Sequence, residues 1–415
     1  MPVESGLSLE DNDLSGGDLT RMAVLALLGG TGPASRATIA RELELSPATV
    51  TQVTRRLIAQ GLVEPREFAP SDGGRPGQLL GLVADAGHAL GVKLAADHLV
   101  LVDVRLDGLV LARRREDFDA VSPGAVNKLI GSIQEFLGGG TTRLLGIGIG
   151  VPGVVTRPDV GDVVAHVLGW DNIRLGGQLR RATGVPVLIE NDVKSLAVAE
   201  RLFGRGRERK SFALVTIGRG VGFASVVDGA LRRGAHGGAG EIGHVVVANN
   251  GAPCACGSRG CLEAYVGVDG LIAAGKSAGL LRGGQGVDRL VTLADRGNVT
   301  ARDLFARAAQ RLGTAIAPAI AVLDPEVILV GGEGTAAWRH WDDAFRRSLS
   351  RRLPQSMREM PMEVDEWDEY SWARGAAAIV LATPFDQHGL AGRQRTQVLA
   401  RLHGVPGAAV ATAEL

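Results

Sequence analysis

The sequence predicts an α/β protein in which a small, mostly helical N-terminal domain precedes a larger domain built as two similar lobes. Three observations carry that expectation. Residues 37–65 read as helix, turn, helix and the start of a strand. From Ala89 onward, short apolar strands alternate with helical stretches. One segment, 241–263, gathers all three cysteines of the chain around a histidine and two glutamates.

Length and composition bound the possibilities. At 415 residues and 45% hydrophobic content the chain can bury more than one core. The formal net charge is zero, so no global field draws nucleic acid or an anionic membrane, and any DNA affinity must come from a local surface. Residues 1–17 are acidic, contain Gly and Ser, lack the basic and apolar regions of a secretory leader, and are expected to form a disordered arm. No stretch stays apolar for the length a bilayer requires. Three clustered cysteines make no disulfide framework and suit a reducing compartment, so a cytoplasmic protein with no membrane partner is expected.

The N-terminal domain is expected over residues 18–82. Asp18 is placed to cap a helix carrying Leu19, Met22, Val24, Leu25, Leu27 and Leu28, which Gly29-Gly30 should end. A short helix follows, then a turn at Leu45-Ser46 and a second helix with Ser46 as N-cap and Pro47 at its first position. Val50, Val53 and Leu57 fall on one face of that helix. Ala48, Thr51, Gln52 and Arg55 lie on the other, with Arg56 on its flank. Small and hydrogen-bonding groups near such an N-terminus suit base edges, and arginines suit phosphates. Leu62-Val63 and the stretch 65–82 read as two strands joined by a loop, a wing. Arg75, between Gly74 and Pro76, could enter a minor groove. A helical dimerisation domain with a solvated hairpin is the alternative. Residues 18–80 carry seven Arg/Lys against six Asp/Glu, so charge decides nothing. The pattern of caps, turn and wing carries the winged helix-turn-helix reading.

The larger domain is expected over 83–385, with 386–415 as a tail. Strands are expected at Leu90–Leu94 and Leu99–Arg105, with a hairpin turn at Asp107-Gly108 and a returning strand Leu109–Arg113. Leu145–Gly150 and Val185–Ile189 are apolar strands, and the second runs into Glu190-Asn191-Asp192 and a helix from Val193 to Phe203. Polar groups at the C-terminal end of a strand, just before a helix, are where α/β sheets place their chemistry. A second strand set at Phe212–Ile217 and Gly222–Val227 precedes the cysteine segment. A helical stretch Ala301–Leu323 then leads to the strand Val327–Val330 and Gly331-Gly332. Two halves that each open with a hairpin suggest two lobes around a cleft.

Cys254, Cys256 and Cys261 offer three thiolates and His244 a fourth donor, the set of a closed, structural tetrahedral Zn²⁺ site. Cysteines that were merely buried or spare would not need to cluster within eight positions beside glycines. Glu241 and Glu263 flank this segment, where solvated charges would be the bland alternative.

These motifs, in this order, resemble the ROK family of repressors and sugar kinases, with its two-lobed, actin-like fold. The resemblance covers roughly residues 20–385 and the branch with an N-terminal winged helix. Gly148-Ile149-Gly150-Val151-Pro152-Gly153 is similar to the family's loop beside the sugar. Glu190-Asn191-Asp192 resembles its catalytic segment, which implies Asn191 as a sugar ligand and Asp192 as a general base. Glu241-Ile242-Gly243-His244 and Gly260-Cys261-Leu262-Glu263 resemble its sugar and zinc signature. The resemblance implies that Asn191, Asp192, Glu241, His244 and Glu263 contact sugar, and that His244 with the three cysteines holds zinc. Paired carboxylates and an amide would select hydroxyls, because a missing hydroxyl leaves a buried group unpaired.

One departure separates regulator from enzyme. Kinases of this fold open with a strand running into Asp-x-Gly-Gly-Thr, which manages the phosphates of Mg·ATP; here the aligned stretch is Lys93-Leu94-Ala95-Ala96-Asp97. Side chains at 95 and 96 block close backbone approach, and a carboxylate at 97 repels phosphate. A second loop, Gly218-Arg219-Gly220-Val221-Gly222-Phe223, is ambiguous, because its arginine could bind phosphate. The expectation is a sugar-responsive DNA-binding regulator that has lost phosphoryl transfer, with Asp192 vestigial as a base. Its partners would be operator DNA, a small sugar or sugar-derived effector, and a second copy in a homodimer or homotetramer. The alternatives are an active ATP-dependent hexose kinase with an appended DNA-binding domain, and a zinc-stabilised scaffold that binds neither.

Overall fold

The computed structural model describes residues 16–68, 77–138, 140, 143–365, 367–386 and 389–404. The chain divides into two compact units, Met1–Val83 and Ala84–Leu415. In the first, helix α1 (Gly16–Thr31) is followed by strand β1 (Ala34–Ser35), helices α2 (Arg36–Glu42) and α3 (Pro47–Ala59), and strands β2 (Val63–Phe68) and β3 (Gln78–Leu82). Serine caps start both short helices: Ser35 Oγ accepts from the Thr38 N–H and Ser46 Oγ from the Thr49 N–H, each at 3.1 Å. Pro47 opens α3, where a missing N–H costs nothing. Helix α3 turns Val50, Val53, Thr54 and Leu57 inward, into a core shared with Val24, Leu28, Ile39 and Leu80. The three strands form an antiparallel sheet in the order β1-β3-β2. This is the expected helix-turn-helix with its wing.

Two expectations for α1 are corrected. The helix begins at Gly16, so Asp18 lies inside its first turn rather than at its cap, and it runs through Gly29-Gly30 to Thr31. Glycine lowers helix propensity but does not stop a helix whose apolar face is packed. The stop is Gly32, at φ 86°, whose N–H reaches the Leu28 carbonyl at 3.1 Å.

The second unit holds two five-stranded sheets with the same connectivity. Strands β4 (His88–Leu94), β5 (His98–Arg105) and β6 (Val110–Asp117) form an antiparallel meander, and Gly108 at φ 88° supplies the left-handed turn between β5 and β6. Helix α4 (Ala125–Leu137) leads to β7 (Leu144–Val151), which pairs parallel to β4. A small antiparallel sheet follows: β8 (Val154–Val155), β9 (Asp162–Ala165) and β10 (Trp170–Arg174). Helix α5 (Leu175–Thr183), strand β11 (Val187–Asn191), parallel to β7, and helix α6 (Asp192–Phe203) complete the first lobe.

The second lobe repeats the scheme. Strands β12 (Phe212–Ile217), β13 (Val221–Val227) and β14 (Ala230–Leu231) form its meander. The cysteine segment and helices α7 (Glu263–Val266), α8 (Val268–Ser277), α9 (Val287–Asp295) and α10 (Val299–Leu323) follow. Strand β15 (Val327–Gly331) pairs parallel to β12, and after helix α11 (Asp342–Ser350), β16 (Met362–Val364) pairs parallel to β15. The sheet orders, β11-β7-β4-β5-β6 and β14-β13-β12-β15-β16, are mirror statements of one topology, as two hairpin-led halves implied.

Helix α12 (Ser371–Leu381) returns to the first sheet. It lies so close that a Cβ on Gly91 would stand 1.9 Å from the Ala373 carbonyl oxygen, and one on Gly148 would stand 1.8 Å from that of Ala376. Gly375 makes the same allowance for α6, since a Cβ there would meet Leu196 N at 2.9 Å. The segment expected to be a tail from 386 is not detached in its described part. Helix α13 (Arg395–Leu402) buries Val398 and Leu402, and Arg401 Nε donates to the Leu144 carbonyl at 2.6 Å. Among the described residues no helix is long and apolar enough to cross a membrane.

A methyl group at 148 would have to push the α12 backbone off β7. Gly148→Ala should therefore cost roughly 3 kcal/mol or more, read as a lower urea midpoint with an unchanged slope.

Candidate functional site

In the first unit, α3 presents one exposed face. Ser46, Ala48, Thr51, Gln52, Arg55 and Arg56 are all exposed, as the spacing required. Two of the hydroxyls are already engaged: Ser46 Oγ caps the helix, and Thr51 Oγ1 donates to the Pro47 carbonyl at 2.8 Å. Gln52 and Arg55 are therefore the long polar groups on that face. Arg75 lies outside the described residues.

In the second unit, polar side chains converge where β11 ends and α6 begins. Asn191, rather than Asp192, is the N-cap of α6. Its Oδ1 accepts from the Lys194 N–H at 3.1 Å, and its Nδ2 donates to the Gly153 carbonyl at 3.1 Å. That ties the sugar-type loop 148–153 to the helix start. Asp192 Oδ1 accepts from the Val193 N–H at 2.8 Å, while Oδ2 is ion-paired with Lys93 of β4. Both partners of that pair are buried.

Behind them, Glu190 is fully buried, accepts the Asn191 N–H at 2.8 Å, and is ion-paired with Arg233. Burial pushes the Glu190 carboxyl up, and Arg233 opposes that. Arg233 also donates to the Val155 carbonyl at 2.8 Å. Lys194, only 1% exposed, donates to the Gly237 carbonyl at 2.8 Å and stands 3.8 Å from Glu241 Oε1. Burial pushes its ammonium down, while Glu190 and Glu241 hold it up.

Glu241 and Glu263 belong to the second lobe, and Glu241 approaches the start of α6 through Lys194. The Glu241 carboxyl is pushed up by burial, with Lys194 and His244 opposing and Asp192 and Glu263 adding to the rise. Glu263 Oε2 accepts from the Val221 N–H at 3.3 Å, and a Cβ on Gly243 would come within 3.5 Å of that oxygen.

His244 lies between Glu241 and the cysteines. Its Nε2 lies 3.9 Å from Glu241 Oε2, and its Nδ1 lies 3.6 Å from Cys254 Sγ. Cys256 Sγ is 3.8 Å from Cys261 Sγ, and the four donor atoms all lie within 4.8 Å of one another. A tetrahedral ion with sulfur at about 2.3 Å and nitrogen at about 2.0 Å has sulfur–sulfur edges of ~3.8 Å and nitrogen–sulfur edges of ~3.5 Å. The described donor set fits that shape. Bridges Val246–Cys261 and Pro253–Arg259 fold the segment back on itself. Gly260 is required there: at φ 76°, a Cβ would meet the Ala248 carbonyl at 1.8 Å.

Comparison with known proteins decides the family. Residues 89–383 match the model of the ROK family, and residues 15–73 that of the MarR family. The chain belongs to the ROK family. It is 30% identical over 382 residues to the DNA-binding transcriptional dual regulator NagC of Escherichia coli K12, covering 87% of this chain and 92% of that one. It is 25% identical to the xylose repressor of Caldicellulosiruptor bescii, over 88% of this chain and 96% of that one. Among solved structures it resembles a ROK family transcriptional regulator described as a homolog of E. coli MLC protein. That match has a TM-score of 0.77 and 25% identity, and covers 94% of this chain and 99% of that one. A ROK family glucokinase from Streptomyces griseus, in complex with glucose and AMPPNP, aligns at TM-score 0.62 and 26% identity, over 70% of this chain and 98% of that one.

Within this ROK chain, Glu241 stands 3.8 Å from Lys194 Nζ and 3.9 Å from His244 Nε2 and feels the charges of Asp192 and Glu263, Asn191 precedes Asp192 at the start of α6, and the four metal-type donors form one cluster. Sequence reasoning missed the cations beneath them. Lys93 was noted only as a lost acid, and Lys194 and Arg233 were not singled out. A lysine two positions after Asp192 in an otherwise apolar helix start was the available signal. Removing one buried partner leaves the other charge uncompensated. Arg233→Met should cost about 3 kcal/mol, measured by urea unfolding, and adding Glu190→Gln should recover most of that loss.

Proposed function

We propose that this protein is a sugar-responsive, DNA-binding transcriptional repressor acting in the cytoplasm, with a structural zinc ion in its effector lobe. The observation that carries the reading is the Lys93–Asp192 ion pair. A general base needs an available lone pair and a tunable pKa. Here one oxygen of Asp192 accepts a backbone N–H and the other is paired with a buried ammonium. The carboxylate is thus equipped to accept a sugar hydroxyl, not to remove its proton.

In this reading Asn191, Asp192, Glu241, His244 and Glu263 bind sugar hydroxyls, and His244, Cys254, Cys256 and Cys261 hold zinc and order the loop that carries two of those ligands. Ala48, Thr51, Gln52 and Arg55 face base edges, Ser46 and Arg56 face phosphates, and Arg75 enters the minor groove. Two copies of the chain bind half-sites about one helical turn, or a multiple, apart. Sugar acts by binding one lobe arrangement better than the other, since equal affinity would shift nothing. The repressor names of relatives such as the xylose repressor and NagC's N-acetylglucosamine repressor counterparts support the direction of control and the effector class.

The deciding experiment is a mobility shift of the full-length protein on DNA upstream of its own gene, with and without D-xylose, N-acetyl-D-glucosamine, D-glucose and their phosphates. One sugar releasing the DNA is expected. Turnover of ATP on a hexose panel, lost in Asp192→Asn, would instead establish a kinase. Gln52→Ala or Arg55→Ala should weaken specific binding by about 1–3 kcal/mol, whereas Arg56→Ala should weaken it evenly across sequences and lower the salt slope by about one. Metal analysis should return about one zinc per chain, and a protein that folds equally well with all three cysteines changed to serine would rule out the structural role.

A further inference from the structure

The turn between β4 and β5 and the turn between β12 and β13 occupy equivalent places in the two sheets, and their tips meet. Arg219 Nη2 lies 3.4 Å from Asp97 Oδ2 and 3.5 Å from Oδ1. A second link crosses between the lobes beside the first. Glu333, in the loop after β15, sits against Gly218, where a Cβ would come within 2.1 Å of its Oε2. Its Oε1 accepts the indole N–H of Trp372 at 3.0 Å. Trp372 belongs to α12 on the first sheet, and its ring centroid lies 5.0 Å from Lys93 Nζ, the ammonium paired with Asp192. Trp367 packs edge-on to Trp372 with centroids 4.7 Å apart, over Gly331 at the end of β15.

We propose that these contacts form a clamp that holds the two lobes together in place of a bound nucleotide, with Lys93 as the positioning residue that ties the clamp to Asp192. Each hairpin tip carries a charge complementary to the other, so a polyphosphate entering between them would have to break the Arg219–Asp97 pair. It would then meet the carboxylates of Asp97 and Glu333, and the Trp367 indole already covers Gly331. The Arg219–Asp97 pair is more than half exposed on both sides and contributes little alone. The path Glu333–Trp372–Lys93–Asp192 starts at an exposed carboxylate and a half-buried indole; only its Lys93–Asp192 end is buried, and that end, screened less than the surface pair, carries most of the restraint. Asp192 belongs to both the clamp and the sugar pocket, and only this last connection rests on the effector reading above.

Hydrogen–deuterium exchange on the full-length protein tests the clamp without a known effector. Lys93→Met should speed exchange in 95–98 and 217–221 by about tenfold or more, and Arg219→Asp, at an exposed pair, by about two- to threefold, leaving 245–262 unchanged as an internal control of folding. The reversed pair Asp97→Arg/Arg219→Asp should return the rates to those of wild type. Trp372→Phe keeps the ring but removes the donor to Glu333, and should speed exchange in 217–221 alone. That variant and the reversed pair carry the test if Arg219→Asp does not fold. Millimolar Mg·AMPPNP should change nothing in the wild type. Nucleotide-induced protection of the two turns, or variants that exchange like wild type, would overturn the clamp. A protein with unaltered exchange that still shifts its operator DNA would lose the clamp and keep the regulator reading.

Discussion

Helix α12 can lie against β4 and β7 only because Gly91 and Gly148 have no side chains to hold it off. That approach is a backbone-to-backbone contact, so no rotamer change can relieve a larger residue. It sets the height of α12 above the sheet and, through Gly375, the crossing with α6. Trp372 at the start of α12 is thereby set over Lys93, and Asp192 at the start of α6 within reach of the same ammonium. The polar centre of the second unit is a consequence of glycine placement in two strands and one helix.

What fills that centre is a balance of charge. Glu190, Asp192 and Glu241 face Arg233, Lys93 and Lys194, and each carboxylate has a cation within contact or near-contact distance. Isolated, any one of these buried ions would be strongly unfavourable; paired and hydrogen-bonded, they are tolerated and specify one geometry. The start of α6 is capped by Asn191 and Asp192, which accept the Lys194 and Val193 N–H groups, and the helix dipole favours anions there. An ammonium in contact with Asp192 outweighs a neutral hydroxyl as its partner, since charge-assisted bonds are roughly twice as strong as neutral ones.

Much of this could be read from the residues. The strands from Leu90 onward, the Ser46-Pro47 start of the second short helix, and the 254–261 cluster each carry a local signal: alternation, a cap, or metal-ligand chemistry. What could not be read was mostly non-local. Lys93 is 99 residues from Asp192, and Arg233 is 43 from Glu190, and no local rule pairs them. Gly29-Gly30 misled because propensity gave way to packing. Helix α6, expected from Val193, starts at Asp192 because Asn191 caps it, a one-residue shift that boundary reasoning does not resolve. The 386–415 segment looked like a tail because its small residues hide that Val398 and Leu402 reach the core.

The cysteine segment solves a different problem from the charged centre. Glu241 and Glu263 sit at opposite ends of a long glycine-containing loop, and such a loop ordered only by its own backbone would lose much entropy in holding two carboxylates in register. A metal ion on the four donors would cross-link its two ends, because Cys261 lies two positions from Glu263 and His244 three from Glu241. His244 has one nitrogen toward the cysteines and the other toward Glu241. An ion on Nδ1 would leave Nε2 to carry the proton and donate toward the pocket. Metal occupancy and the polarity beside Glu241 would then be set through a single imidazole.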